Sequence, residues 1–168
     1  MRCLVVYSSK TGNTRAVAQA IHAIMPAGTA LLPVQEAPAP HGYDLLCLGF
    51  WVTLGGPDPA MLAYMRRIEA CTVGLFGTLG AYTDSPHADK VRQRALEAVA
   101  PHPTLGVFLC QGKIDPAHLA RQAARPKEQQ RHPMTEERRE RIAVAATHPD
   151  AQDFAAAQAF FKEMLAKC

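Results

Sequence analysis

The chain has 168 residues, 48% of them hydrophobic and 20% charged, with a formal net charge of +3. These values suit one globular domain with a single core, taken here as residues 1–168. They exclude membrane insertion, because the longest apolar stretches are strand-sized, and a nucleic-acid footprint, because the charge excess is slight. Residues 113–141 hold eight Lys/Arg against five Asp/Glu and account for the whole excess. No basic n-region or cleavage site precedes the first apolar run, so no signal peptide is expected. The five cysteines, Cys3, Cys47, Cys71, Cys110 and Cys168, show no Cys-x-x-Cys or metal-ligand spacing. They read as reduced, structural residues of a cytoplasmic protein.

The first apolar run, Arg2–Tyr7, ends in Ser8-Ser9-Lys10-Thr11-Gly12-Asn13-Thr14, which opens a helix carrying Val17, Ala20, Ile21 and Ile24 on one face. A strand that enters a helix through hydroxyls and one Gly makes an anion site. Backbone N–H groups point outward there, and the helix dipole favours negative charge. The loop lacks the Gly-Lys pair of a P-loop and the Gly-x-Gly of a dinucleotide fold, so hydroxyls and amides would hold the anion. The alternative is an ordinary Ser/Thr N-cap.

Further strand-like runs follow at Ala30–Val34, Leu45–Phe50, Thr72–Phe76 and Leu105–Cys110. Mostly apolar runs of this kind fit strands buried on both faces of a parallel sheet. The Pro-rich residues 35–42 read as a loop. Asp58-Pro59, Ser85-Pro86 and Asp115-Pro116 each set an N-cap before a proline suited to the first helical position. Two loops lie beyond strand ends on the same edge as the anion loop. One is residues 49–58, with the only Trp of the chain, Trp51; the other is residues 77–85, with Tyr82. The stretch 112–148 is long enough for one or two surface helices, the second capped at Thr135. A last helix opens near Asp150 and carries Phe154, Ala157, Phe161 and Leu165 at helical spacing. Alternating β and α segments predict an α/β three-layer sandwich with a five-stranded parallel sheet. The seven histidines, His132 among them, have no metal spacing; His87 is the one placed to act as a proton donor.

The segment Val5-Val6-Tyr7-x-Ser9-x-x-Gly12-x-Thr14-x-x-x-Ala18-x-x-Ile21 resembles the signature of flavodoxin-like proteins. That resemblance implies strand order 2-1-3-4-5, with the ligand beyond strands 1 and 3. It implies FMN as cofactor, with phosphate contacts from Ser9, Lys10, Thr11, Gly12, Asn13 and Thr14. Trp51, Val52, Thr53, Leu54 and Gly55 then read as contacts to the flavin ring, joined by Thr78, Leu79, Gly80 and Tyr82. Gly55 and Gly56 serve either as the turn into the next helix or as a movable peptide beside flavin N5. Acidic residues that often surround the second loop in this family reduce here to Asp84.

The expected function is FMN-dependent shuttling of single electrons between two redox partner proteins, a reductase and an acceptor enzyme. The alternative is a flavin oxidoreductase acting directly on a quinone, porphyrin or tetrapyrrole, or the flavodoxin-like component of a tetrapyrrole reductase system. The basic 113–141 segment suggests either an acidic partner surface or a solvated helix. The chain is expected to be a monomer or a weak homodimer.

Overall fold

The computed structural model describes residues 1–129 and 133–167; His132 and Cys168 lie outside the described residues. Five parallel strands form the sheet. They are β1 (Cys3–Tyr7), β2 (Ala30–Pro33), β3 (Leu45–Thr53), β5 (Thr72–Leu79) and β6 (Thr104–Gln111), in the order β2-β1-β3-β5-β6. A two-residue strand, β4 (Gly56–Pro57), pairs antiparallel with the end of β3. Counting only the parallel strands, the order is the expected 2-1-3-4-5.

Alternation along the strands sends successive side chains to opposite faces, and two cores result. Leu4, Val6, Leu46, Leu48, Phe50 and Leu75 pack with α2 (Pro59–Met65) and α3 (Pro86–Val99). Val5, Leu45, Cys47 and Phe76 pack with α1 (Asn13–His22) and α6 (Ala151–Leu165). On α1 the fully buried residues are Thr14, Val17, Ala18 and Ile21, so the buried stripe runs through Ala18 rather than Ala20. The stretch 112–148 holds α4 (Pro116–Ala123), a 3-10 turn and α5 (Glu136–Ala145), and α4 buries none of its residues. Among the described residues no helix is long and apolar enough to cross a membrane.

Two expected loops are in part strand. β3 runs on through Trp51, Val52 and Thr53, and β5 runs on through Gly77, Thr78 and Leu79. The extension of β3 has a local cause. Leu54 (φ 50°) and Gly55 (φ 78°) both lie in the left-handed region, which a type I′ hairpin turn demands, and they fold Gly56–Pro57 back onto Val52 and Thr53.

The two central strands fit by exchange of volume. Gly49 pairs with Phe76, and Phe50 pairs with Gly77. A Cβ on Gly49 would stand 2.2 Å from the Phe76 ring, and one on Gly77 2.5 Å from the Phe50 ring. Each ring covers the glycine of the neighbouring strand. Gly49→Ala should therefore cost about 1–3 kcal/mol through overpacking, read as a lower urea midpoint with an unchanged slope. An unshifted midpoint would show that Phe76 yields at no cost.

Candidate functional site

The carboxyl edge of β1, β3 and β5 opens into a cavity of about 740 Å³. Three groups of expected residues line it: Lys10, Thr11 and Asn13; Trp51, Val52, Thr53, Leu54 and Gly55; and Thr78, Leu79 and Gly80. The structure thus brings the anion loop and both strand-end segments together. Ser9, Gly12, Thr14 and Tyr82 do not line it. Ser9 Oγ accepts the Gly12 N–H at 3.2 Å, and Thr14 Oγ1 shares a buried hydrogen bond of 2.8 Å with Thr78 Oγ1. These residues shape the loop from behind. Tyr82 is exposed at the start of the turn that caps α3.

The N-terminus of α1 is the chemical centre of this edge. Its N-cap is Gly12, at φ 92°, and no side chain caps it. Among the described residues the other five α-helices all carry a side-chain cap: Asp58, Ser85, Asp115, Thr135 and Asp150. First-turn N–H groups lacking an internal acceptor suit an incoming anion.

Two of those caps also hold the anion loop. Asp58 is buried; its Oδ1 accepts the N–H groups of Ala60 and Met61 and, at 2.8 Å, the hydroxyl of Ser8. Asp115 Oδ1 accepts the Ala117 N–H, while its Oδ2 pairs with Lys10 Nζ at 3.5 Å. The Ala117 N–H and, after it, the Lys10 ammonium keep the Asp115 carboxyl below the usual aspartate range. Lys10 also lies 5.6 Å from the centre of the Trp51 ring, within cation–π range. Asn13 Nδ2 donates to the Lys113 carbonyl at 2.9 Å, and a Cβ on Gly112 would meet that Asn13 side chain at 2.7 Å. The segment after β6 therefore closes directly against the anion loop.

The hairpin tip forms another side of the cavity. Leu54 is 91% exposed and holds a backbone conformation that costs a leucine about 1–2 kcal/mol. Arg94 Nη1 donates to its carbonyl at 2.6 Å and fixes the tip to α3. Sequence reasoning left most of the α3 and α4 side of the cavity out of the site. Lys90 and Arg94 of α3, and Lys113, His118, Gln122 and Arg125 in and around α4, all line it, as do His87 and Gly112. The i, i+3, i+7 spacing of His87, Lys90 and Arg94 was the available signal. Gln111, at the end of β6, is buried and does not line the cavity.

Residues 4–162 match the Flavodoxin domain family. The chain belongs to that family. It is 29% identical over 174 residues to BilS, a flavodoxin-like domain-containing protein of Clostridioides difficile, covering 99% of this chain and 98% of BilS. Flavodoxin 2 from Bacillus cereus superposes with a TM-score of 0.51 at 19% identity, covering 93% of this chain and 99% of that one. A Lactobacillus acidophilus flavoprotein solved in complex with FMN superposes with a TM-score of 0.52 at 16% identity, covering 71% of this chain and 97% of its own. Both superpositions concern the fold.

Two outcomes test the tethers. Asp58→Ala removes an N-cap and strands the buried Ser8 hydroxyl, and should cost about 2–3 kcal/mol in chemical denaturation. Asp58→Asn, which keeps an acceptor oxygen, should cost less. For Asp115 the folded-state pKa lies below the unfolded value, so its stabilisation is complete above the ordinary 3.8 and is lost as pH falls through the folded value. Carboxyl NMR should show Asp115 titrating below 3.8, and Lys10→Met should move that midpoint upward.

Proposed function

We infer that this flavodoxin-family chain binds FMN and carries electrons between a reductase and an acceptor enzyme. The observation that carries the reading is the uncapped N-terminus of α1, standing beside the chain's only Trp at the sheet edge. The residues present suit a flavin mononucleotide. The first-turn amides of α1, the Thr11 hydroxyl and the Lys10 ammonium are the donor set a phosphate needs, with Ser9 and Thr14 bracing the loop behind them. Trp51 offers a broad apolar face, and Val52, Thr53, Leu54 and Gly55 continue that wall. At Gly80 the backbone itself borders the cavity, and a Cβ there would collide with Ile114 at 2.6 Å. Since Tyr82 stands outside the lining, aromatic cover rests on Trp51.

FMN, when bound, supplies one- and two-electron chemistry. The chain's part is to bind it, to exclude water on the Trp51 side and to set the local field. The likeness to BilS and to a flavoprotein that binds FMN supports the assignment. A direct flavin oxidoreductase is the second reading. It is favoured by the breadth of the cavity and by the absence of Tyr82 from its wall, which leave space for a substrate.

Anaerobic photoreduction of the FMN-loaded protein separates the two. Reduction in two distinct one-electron steps, with no NAD(P)H oxidation, supports the carrier. Rapid two-electron oxidation of NAD(P)H supports the oxidoreductase. Colourless protein that takes up no added FMN overturns both. Trp51→Ala should weaken FMN binding about tenfold, equivalent to about 1.4 kcal/mol, in a fluorescence-quenching titration.

A further inference from the structure

The Leu54–Gly55 turn is gripped by its backbone from one side. Arg94 Nη1 donates to the Leu54 carbonyl at 2.6 Å, and among the described residues this is the only hydrogen bond or ion pair of that guanidinium. The Arg94 side chain also lies along the hairpin: a Cβ on Gly55 would stand 3.0 Å from Nη1, and one on Gly56 3.5 Å from Cδ. Two successive glycines thus let the arginine cross the hairpin closely. Its own base is rigid, because Val91 and Ala95, on the same helix, are fully buried.

A two-residue turn of this kind can change by rotating its central peptide, which swaps the C=O and the N–H between the two sides of the hairpin. Two features oppose that rotation here. One is the bond to Arg94. The other is Leu54 itself: the rotated turn is type II′, whose first central position takes glycine, and a leucine stands there at φ 50°. The peptide that follows is fixed as well, since Gly56 pairs with Thr53. In a trans peptide the N–H points opposite to the C=O, so the Gly55 N–H faces away from Arg94. It has no partner among the described residues, and Gly55 lines the cavity.

We propose that Arg94 is a positioning residue for the cofactor: with the Leu54 backbone it locks the turn, so that the wall offers the flavin ring the Gly55 N–H and never the Leu54 carbonyl. Such a wall favours ring atoms that accept a hydrogen bond over ring atoms that donate one. Reduction of FMN puts hydrogen on a ring nitrogen that accepted before, so the locked turn favours the oxidised form. The proposal rests on the reading that FMN lies against the segment from Trp51 to Gly55, and it assigns the residue that governs that contact.

FMN uptake by the unaltered protein is measured first, so that a failure of the cofactor reading shows in that arm alone. The turn is then followed without ligand by amide NMR. Gly55 and Gly56 should each give one set of signals in the unaltered protein and in Leu54→Gly, and two sets or exchange broadening when Leu54→Gly is combined with Arg94→Met. In the FMN-loaded protein, the midpoint potential relative to free FMN reports the ratio of affinities for the reduced and oxidised forms. Leu54→Gly should move that ratio less than about twofold while Arg94 is present, and at least about fivefold toward the reduced form in the Arg94→Met background. Each comparison holds charge constant, so the lost cation and the lost leucine side chain both cancel. Arg94→Lys, which keeps a donor, should behave as Arg94 does. An equal effect of Leu54→Gly in the two backgrounds overturns the proposal, as does a single set of turn signals in the double variant. An Arg94→Met protein that binds FMN more weakly but riboflavin as before also overturns it, since Arg94 then serves the phosphate.

Discussion

Every α-helix begins with N–H groups that its own backbone cannot satisfy, and this chain answers that demand for every described α-helix but the first. The exception organises the site around it. Gly12 turns the chain into α1 without supplying a side-chain acceptor. The caps of two neighbouring helices then reach back to steady the loop: Asp58 through Ser8, and Asp115 through Lys10. One carboxylate serves a helix and a tether at once in both cases. The loop is held from below by α2 and from the side by α4, so its open donors are fixed in place before any ligand arrives. Such preorganisation lowers the ordering cost of binding.

The electrostatics of the edge set this chain apart from what the resemblance implied. An acidic surround would oppose accumulation of negative charge on a bound cofactor. Here the wall is basic, and a basic wall favours whichever state carries more negative charge. The basic residues of 113–141 divide between uses. Lys113 and Arg125 line the cavity, whereas the Arg138 guanidinium donates to the Gln122 side chain and links α5 to α4.

Much of the framework was legible in the residues. Asp-Pro and Ser-Pro pairs marked three helix starts, because a cap oxygen and a preset φ are needed together at those positions. Thr135 and Asp150 marked two more. The strand ends were harder to read. Gly77 and Thr78 have the composition of a loop, yet both are strand residues, and at Gly77 the Phe50 ring of the adjacent strand fills the space the glycine leaves. The β3–β4 hairpin was hidden for another reason: Leu54 occupies a turn position where Asn, Asp or Gly is expected, and hydropathy does not report a positive φ. The basic wall escaped notice because α3 and α4 are distant in sequence and meet the cavity only through sheet topology. No local window contains both.

The exchange of volume between β3 and β5 has a mechanical result. Slide one strand by a single residue in one direction and Phe50 stands beside Phe76; slide it in the other and Gly49 stands beside Gly77. One error crowds two rings and the other leaves a gap, so the strands work like a keyed joint with a single seating. Trp51 and Thr78 are the next paired residues along this joint. The key therefore sets their relative height at the mouth of the cavity, and a tolerance in the core becomes a tolerance in the site.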